Sequence, residues 1–209
     1  MTNTVELLGY YGSDETHALS AWTSTSRELT DDKKSRIGNL LKMLASEGHH
    51  TPFEKSQLHF LVNVDQATHI HLLKHRIGVS INGESARYKE LKEDKFLIPD
   101  DWDLVGYEWI NILEEKTKEC NELYHQCLDS LTSVLGRKRA KESARFFKMM
   151  NSQITMDISF NWRSFYHFQK LRNDKNSQRE IRELANDMLE LVKNIKGNPF
   201  KKTIKAFNL

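Results

Sequence analysis

The chain has 209 residues, 38% hydrophobic and 29% charged, with a formal net charge of +2. That is enough chain for one domain with a sizeable core, and no run approaches the ~18 apolar residues of a membrane span. Lysines and acids are mixed throughout, which argues against nucleic acid as the main partner. The first residues lack the basic-then-apolar order of a secretory leader, and Cys120 and Cys127 fit no metal-ligand spacing, so both read as free thiols of a reducing cytoplasm.

The order of elements follows from periodicity and punctuation. Val5 to Tyr11 is a short apolar run closed by Gly12, Ser13 and Asp14, a strand, and a helix follows from Glu15 to about Thr25. Thr30 caps a helix to about Glu47 that buries Ile37, Leu40, Leu41 and Leu44, and Gly48 ends it. Leu58 to Val64 reads as a strand and Gln66 to about Arg76 as a helix, whose dipole favours Lys74, His75 and Arg76 at its C-terminal end. Lys89 to Asp103 is charged and closes in a loop at Leu97–Trp102. Val105 to about Gly136 is one or two helices burying Ile110, Leu113, Leu123, Cys127 and Leu131, and Ala140 to Met150 continues helical. Gln153 to Phe160 alternates as a half-buried strand, a helical segment follows from Asn161, and Glu180 to Lys196 is amphipathic until Gly197-Asn198-Pro199 stops it. There is no internal repeat or low-complexity segment.

The chemistry concentrates in Lys74 to Tyr88. Gly78 and Gly83 let the backbone turn and approach a ligand. Ser80, Asn82 and Ser85 offer short donors, and Arg76 and Arg87 offer planar forks suited to phosphate. Together they describe a cradle for a phosphorylated ligand; the alternative is a loop whose cations pair with nearby acids. A second candidate is Arg172. At about 100° per residue it lies near the stripe of Phe165 and Phe168, where an arginine takes either a bound anion or an acidic partner such as Glu180. No glycine-rich dinucleotide fingerprint, P-loop or cysteine-nucleophile context is present, and His49-His50 and His69-x-His71 have no carboxylate completing a metal site.

Five motifs, in order along the chain, resemble those of the flavin-dependent thymidylate synthases. Ala21-Trp22-Thr23-Ser24 resembles the family's Ala-Arg-x-Ser, and His49-His50-Thr51-Pro52-Phe53-Glu54 resembles its His-x-Ser/Thr-Pro-Phe-Glu. Lys74-His75-Arg76 and Ser85-Ala86-Arg87-Tyr88 resemble the signature Arg-His-Arg, seven residues, Ser-x-Arg-Tyr. Ala144-Arg145 resembles an Ala-Arg pair. Asn161-Trp162-Arg163, then His167, Leu171-Arg172 and Gln178-Arg179-Glu180-Ile181-Arg182, resemble the C-terminal motifs. The chain departs from the pattern at Trp22, at His71 (Gln in the family), at Lys74, at Gly83 (commonly Glu), and in a loop of eight rather than seven residues between Arg76 and Ser85.

The resemblance implies an α/β fold, a single domain over residues 1–209 with a mixed sheet packed with several helices, like the thymidylate synthase complementing proteins, and a homotetramer with sites between subunits. The implied reaction is reductive methylation of dUMP to dTMP, with methylenetetrahydrofolate as carbon donor, NADPH as reductant and FAD as the hydride carrier, in the cytoplasm and without nucleic acid, membrane or metal. Lys74, Ser85, Arg87, Arg145 and Arg172 would bind dUMP, Ser85 and Arg172 acting in catalysis. Ser24, His49, Thr51, His75, Arg76, Asn161, Arg163 and His167 would hold FAD. The departures cluster around the nucleotide, so a related flavin-dependent enzyme modifying C5 of another pyrimidine nucleotide remains an alternative, as does a non-catalytic nucleotide- or RNA-binding module.

Overall fold

The structure is a computed structural model and describes residues 2–85 and 87–209, so that Met1 and Ala86, the latter inside the Ser85–Tyr88 motif, lie outside the described residues. Strands β1 (Thr4–Tyr11), β2 (Gln57–Asp65), β3 (Val79–Gly83) and β4 (Gln153–Phe160) form one sheet in the order β1-β2-β4-β3. The helices are α1 (Asp14–Trp22), α2 (Asp31–Ser46), α3 (Gln66–Leu73), α4 (Tyr107–Ala144), α5 (Trp162–Arg172), α6 (Arg179–Lys193) and α7 (Lys201–Ala206), with single 3₁₀ segments at Thr51–Lys55, Asp100–Val105 and Arg145–Phe147. Among the described residues, no helix is long and apolar enough to cross a membrane.

The α/β class is as expected, but the sheet is antiparallel rather than mixed. Glu84 N donates to Thr155 O at 2.8 Å and Asn161 N to Gly78 O at 3.1 Å, so residue numbers run in opposite senses along β3 and β4. An antiparallel sheet needs only one covered face, and β2 accordingly alternates buried and half-buried residues. Helix starts follow side-chain chemistry: the Ser13, Thr30 and Asn161 side chains accept from the backbone N–H three residues on. Helix α2 ends before Gly48, whose φ of +73° no β-carbon residue adopts readily.

Three local expectations differ. Helix α3 stops at Leu73, so Lys74, His75 and Arg76 lie beyond it. Val79–Gly83, read as loop, is an edge strand: its pairing with β4 supplies the hydrogen bonds that its weak hydrophobic pattern does not advertise. Helix α4 breaks at Gly136, at φ 76° and ψ 153°, where its first part is expected to end, but its second part stops at Ala144 rather than Met150.

The chain divides into two compact units. The first comprises Met1–Thr4, Asn63–Leu72 and Asn82–Met156. Its core joins both parts of α4, with Tyr124, Leu128, Ala140 and Ala144 buried together and Leu91, Cys127 and Leu131 packed on them. Lys148 is drawn inside: its Nζ donates to Asn121 Oδ1 at 2.8 Å and to Asp94, and sits 4.4 Å from the centre of the Tyr124 ring. Burial pushes the Asp94 carboxyl up, but hydrogen bonds from Lys148 and His125 outweigh it and hold the group below the usual carboxylate range. Cys120 and Cys127 are half-buried free thiols.

The second unit comprises Val5–Val62, Leu73–Ile81 and Asp157–Leu209. Its core is aromatic. Phe60 stacks on Phe165 with centroids 5.9 Å apart, Trp162 stacks on Phe200 at 5.1 Å, and Phe53, Phe160 and Phe168 are fully buried beside them; each contributes roughly 1.5–3 kcal/mol of burial. One polar chain runs through this core. Asp14 Oδ1 accepts from the Thr203 hydroxyl at 2.6 Å and from Thr203 N at 2.8 Å, and Oδ2 accepts from Lys202 N at 2.8 Å, so Asp14 caps α7. Because Thr203 gives its proton to Asp14, its oxygen accepts from His17 Nδ1–H at 3.0 Å, and His17 Nε2 accepts from the Ser56 hydroxyl at 2.9 Å. His17 is fully buried among Phe53, Trp162 and Phe200, and burial pushes its pKa from 6.5 down to about 3. It is a neutral core histidine.

Candidate active site

The second unit holds a cleft of about 670 Å³, a volume suited to a ligand of cofactor size. Its walls come from three pieces of chain: the turn before β2 (His50, Glu54), the segment Lys74–Val79 leading into β3, and α5 from Asn161 to Arg172. The α5 wall is a helical stripe. Arg163, Tyr166, His167 and Lys170 recur at spacings of three and four and face the cleft, while Phe165 and Phe168 on the other side enter the core. Lys74, Arg76, Arg163, Lys170 and Arg172 bring five cations to the walls, against one carboxylate, Glu54. That carboxylate is already matched, since Arg163 Nη1 donates to Glu54 Oε1 at 2.6 Å.

Gly78 is the hinge of the middle wall. Its φ is +66°, and a β-carbon there would lie 2.3 Å from Ser164 Oγ and 2.4 Å from Asn161 Nδ2. The turn and α5 are stitched through this contact: Ser164 Oγ donates to Ile77 O at 2.6 Å, Asn161 N donates to Gly78 O at 3.1 Å, and Asn161 Oδ1 caps α5 by accepting from Ser164 N at 2.9 Å. Gly83 is different. It ends β3 with an ordinary backbone, and a β-carbon there would make only van der Waals contacts, 3.7 Å from Met156 and 3.9 Å from His69. Of the two glycines expected to shape the cradle, Gly78 alone is required by its conformation.

His75 is buried, with 7% exposure, behind the exposed Lys74 and Arg76. Its ring meets Phe168 edge-on at 5.1 Å and His167 at 6.1 Å, and Arg172 Nε donates to its Nε2 at 3.0 Å. Arg172 thus stands on the phenylalanine stripe as expected, with His75 as one of its partners.

The cleft brings together seven of the anticipated cofactor and nucleotide positions in its own unit, Lys74, His75, Arg76, Asn161, Arg163, His167 and Arg172. It does not include Ser24, His49 or Thr51. Ser24 sits in an exposed turn with its hydroxyl donating to Ala21 O at 3.1 Å, and His49 and Thr51 are exposed at the surface. Sequence reasoning passed over His50, Glu54, Tyr166 and Lys170. Their signals were available: two lie within the His49–Glu54 motif and two complete the polar stripe of α5.

Ser85, Arg87 and Arg145 belong to the first unit. Arg87 is exposed, lies over the Tyr88 ring and donates from Nε to Glu142 Oε1 at 2.8 Å. Ser85 is half-buried and its Oγ accepts from Arg87 N at 3.4 Å, while Arg145 opens the 3₁₀ segment with its side chain exposed.

A family model described as thymidylate synthase complementing protein matches residues 6–196. The chain belongs to that family. Relatives described as flavin-dependent thymidylate synthase include one from Pseudothermotoga lettingae, 30% identical over 192 residues that cover 91% of this chain and 85% of the relative. Another, from Tropheryma whipplei, is 32% identical over 210 residues covering 90% and 86%. Among solved structures, the UMP/dUMP methylase PolB from Streptomyces cacaoi, bound with 5-Br dUMP, superposes with a TM-score of 0.85 at 27% identity, covering 99% of this chain and 94% of PolB. Membership in the thymidylate synthase complementing family accounts for the α/β fold, and the second unit carries a cleft lined with cations.

Proposed function

We propose that this member of the family is a flavin-dependent methyltransferase that converts dUMP to dTMP. The observation that carries the reading is the cleft whose five cations face one already matched carboxylate, in a chain that matches the family along nearly its whole length. Such a wall suits a ligand bearing several phosphate charges, as FAD and a nucleotide do. His75, Arg76, Asn161, Arg163 and His167 would hold the flavin, and Lys74 and Arg172 the nucleotide. Ser85, Arg87 and Arg145 would also bind the nucleotide, Ser85 beside the pyrimidine. When bound, FAD reduced by NADPH supplies the hydride, and methylenetetrahydrofolate supplies the carbon. The protein's own part is binding and charge placement: cations hold the phosphate, and Arg172 draws electron density out of the uracil.

The expected result is that protein incubated with FAD keeps a flavin absorbance band through desalting and forms dTMP from dUMP when methylenetetrahydrofolate and NADPH are added. Protein that keeps no flavin would favour the binding-module reading. UMP is a second substrate to assay, because the structural neighbour PolB is a methylase of both nucleotides and was also solved with 5-Br UMP; 5-methyluridine monophosphate as the main product would move the assignment to the ribonucleotide.

Arg172→Ala is expected to weaken dUMP binding by roughly ten- to a hundredfold, the loss of a hydrogen-bonded charge of about 2–3 kcal/mol. Arg172→Lys should recover only part of this, because lysine lacks the fork. Equilibrium titration of flavin-loaded protein measures it, and unchanged dUMP affinity in Arg172→Ala would reject the assignment.

We also propose a homotetramer whose nucleotide pockets take Lys74 from one subunit and Arg87 from another. Lys74→Glu and Arg87→Glu should each be inactive, since a carboxylate facing phosphate repels it. Mixed oligomers of the two should regain part of the activity, because some pockets then carry neither change. Hybrids that form and stay inactive would count against shared pockets.

A further inference from the structure

We infer that His75 is a positioning residue that fixes the guanidinium of Arg172 by accepting its Nε–H, an assignment that rests on the proposed nucleotide site. An arginine Nε can only donate, so at 3.0 Å His75 Nε2 is the acceptor and the ring proton sits on Nδ1. The acceptor is itself immobile. The His75 ring is 7% exposed and is held edge-on by Phe168 and His167. The chain just beyond it is tied to the start of α5 through Ser164 Oγ–Ile77 O and Asn161 N–Gly78 O. Arg172 is the last residue of that same helix. One rigid element therefore carries both the guanidinium and the groups that fix its acceptor.

The choice of an imidazole has a chemical consequence. A carboxylate in the place of His75 would hold the guanidinium and cancel its charge. An imidazole accepting at Nε2 orients Arg172 through one N–H without placing a negative charge beside it. Arginine has several rotatable bonds to freeze on binding, and prior orientation through Nε removes part of that cost from the encounter with the nucleotide. His75 thus acts on the nucleotide through Arg172, whatever it also contributes to the flavin.

The test has two arms. In the first, long-range 1H–15N spectra of histidine-labelled protein without nucleotide report the ring proton. The His75 signal, assigned with His75→Gln, should show the Nδ1–H tautomer, and Arg172→Ala should move it toward the Nε2–H form preferred by free imidazole. An Nε2–H ring in the wild type would overturn the inference without reference to any substrate. In the second, dUMP affinity is measured by titration of flavin-loaded protein. His75→Phe keeps the ring but loses the acceptor and should weaken dUMP binding about ten- to a hundredfold, as Arg172→Ala does. His75→Gln restores a carbonyl acceptor and should recover most of that loss. The double variant His75→Phe/Arg172→Ala should bind no worse than either single variant, since both remove one unit. A His75→Phe protein that is folded, flavin-loaded and binds dUMP like the wild type would sink the inference. A wild type with the Nδ1–H tautomer but no dUMP binding would instead sink the nucleotide reading and leave the pairing established.

Discussion

Gly78→Ala should lower the melting temperature by roughly 6–24 °C and empty the cleft of retained flavin. Three costs combine. A φ of +66° disfavours any residue with a β-carbon by about 1–2 kcal/mol. The new carbon would lie 2.3 Å from Ser164 Oγ and 2.4 Å from Asn161 Nδ2, so α5 or the turn must shift, at about 1–3 kcal/mol. The shift falls on the residue that caps α5, and a lost cap costs about 1 kcal/mol. The total of roughly 3–6 kcal/mol corresponds to that temperature range at about 2–4 °C per kcal/mol for a chain of this size. Gly83→Ala is the control from the same stretch, and its room for a β-carbon predicts a change within about 0.5 kcal/mol. Thermal melts of the two variants decide the matter: a Gly78→Ala protein as stable as Gly83→Ala would show that the turn has slack the described contacts do not allow.

Acid should unfold the second unit's core through His17. The group titrates near 6.5 when exposed and at about 3 in the fold, so between those values the unfolded chain binds a proton that the folded chain refuses. Stability from this residue is therefore fully present above pH 6.5 and falls as pH drops toward 3, by up to about 1.4 kcal/mol per pH unit and roughly 5 kcal/mol in all. The cost is structural as well as electrostatic. A protonated His17 has two donors, and Nε2 could no longer accept from Ser56. Urea unfolding at pH 7.5, 6 and 4.5 should show the wild type losing stability more steeply than His17→Gln. The variant starts less stable, because glutamine fills the aromatic pocket poorly, but it has nothing to titrate there. Parallel pH slopes would assign the acid sensitivity elsewhere.

Much of this architecture was legible because local chemistry and tertiary packing agree. In α2, Thr30, the apolar residues Ile37, Leu41 and Leu44, and Gly48 mark cap, face and stop, and the structure uses each so. From Thr155 to Phe160, β4 alternates in sequence and in burial alike. Legibility failed where a partner far along the chain supplies what the local pattern lacks. β3 is rich in glycine and short polar residues and is a strand because β4 lies beside it. Helix α7 has six residues, too few for periodicity to register, and its first N–H groups are satisfied by Asp14. In the cleft, motif resemblance located Lys74, His75, Arg163 and Arg172, but spacing could not say that His75 and Arg172 would meet 97 residues apart. Ser24, His49 and Thr51 carry the right residue types on exposed turns outside it.

The Asp14 cap has a consequence for the order of events in synthesis. Its carboxylate and the ring of His17 find their partner in Thr203, 189 residues from Asp14 and 186 from His17. A nascent chain can coil α1 early, yet the Asp14 carboxylate and the Nδ1–H of His17 wait for Thr203 until that residue has left the ribosome. Contacts of such long sequence separation form late and slow the final step of folding. The aromatic core around His17 should therefore close post-translationally, and a ribosome stalled with residue 203 still in its exit tunnel should hold a chain in which α1 is protease-sensitive.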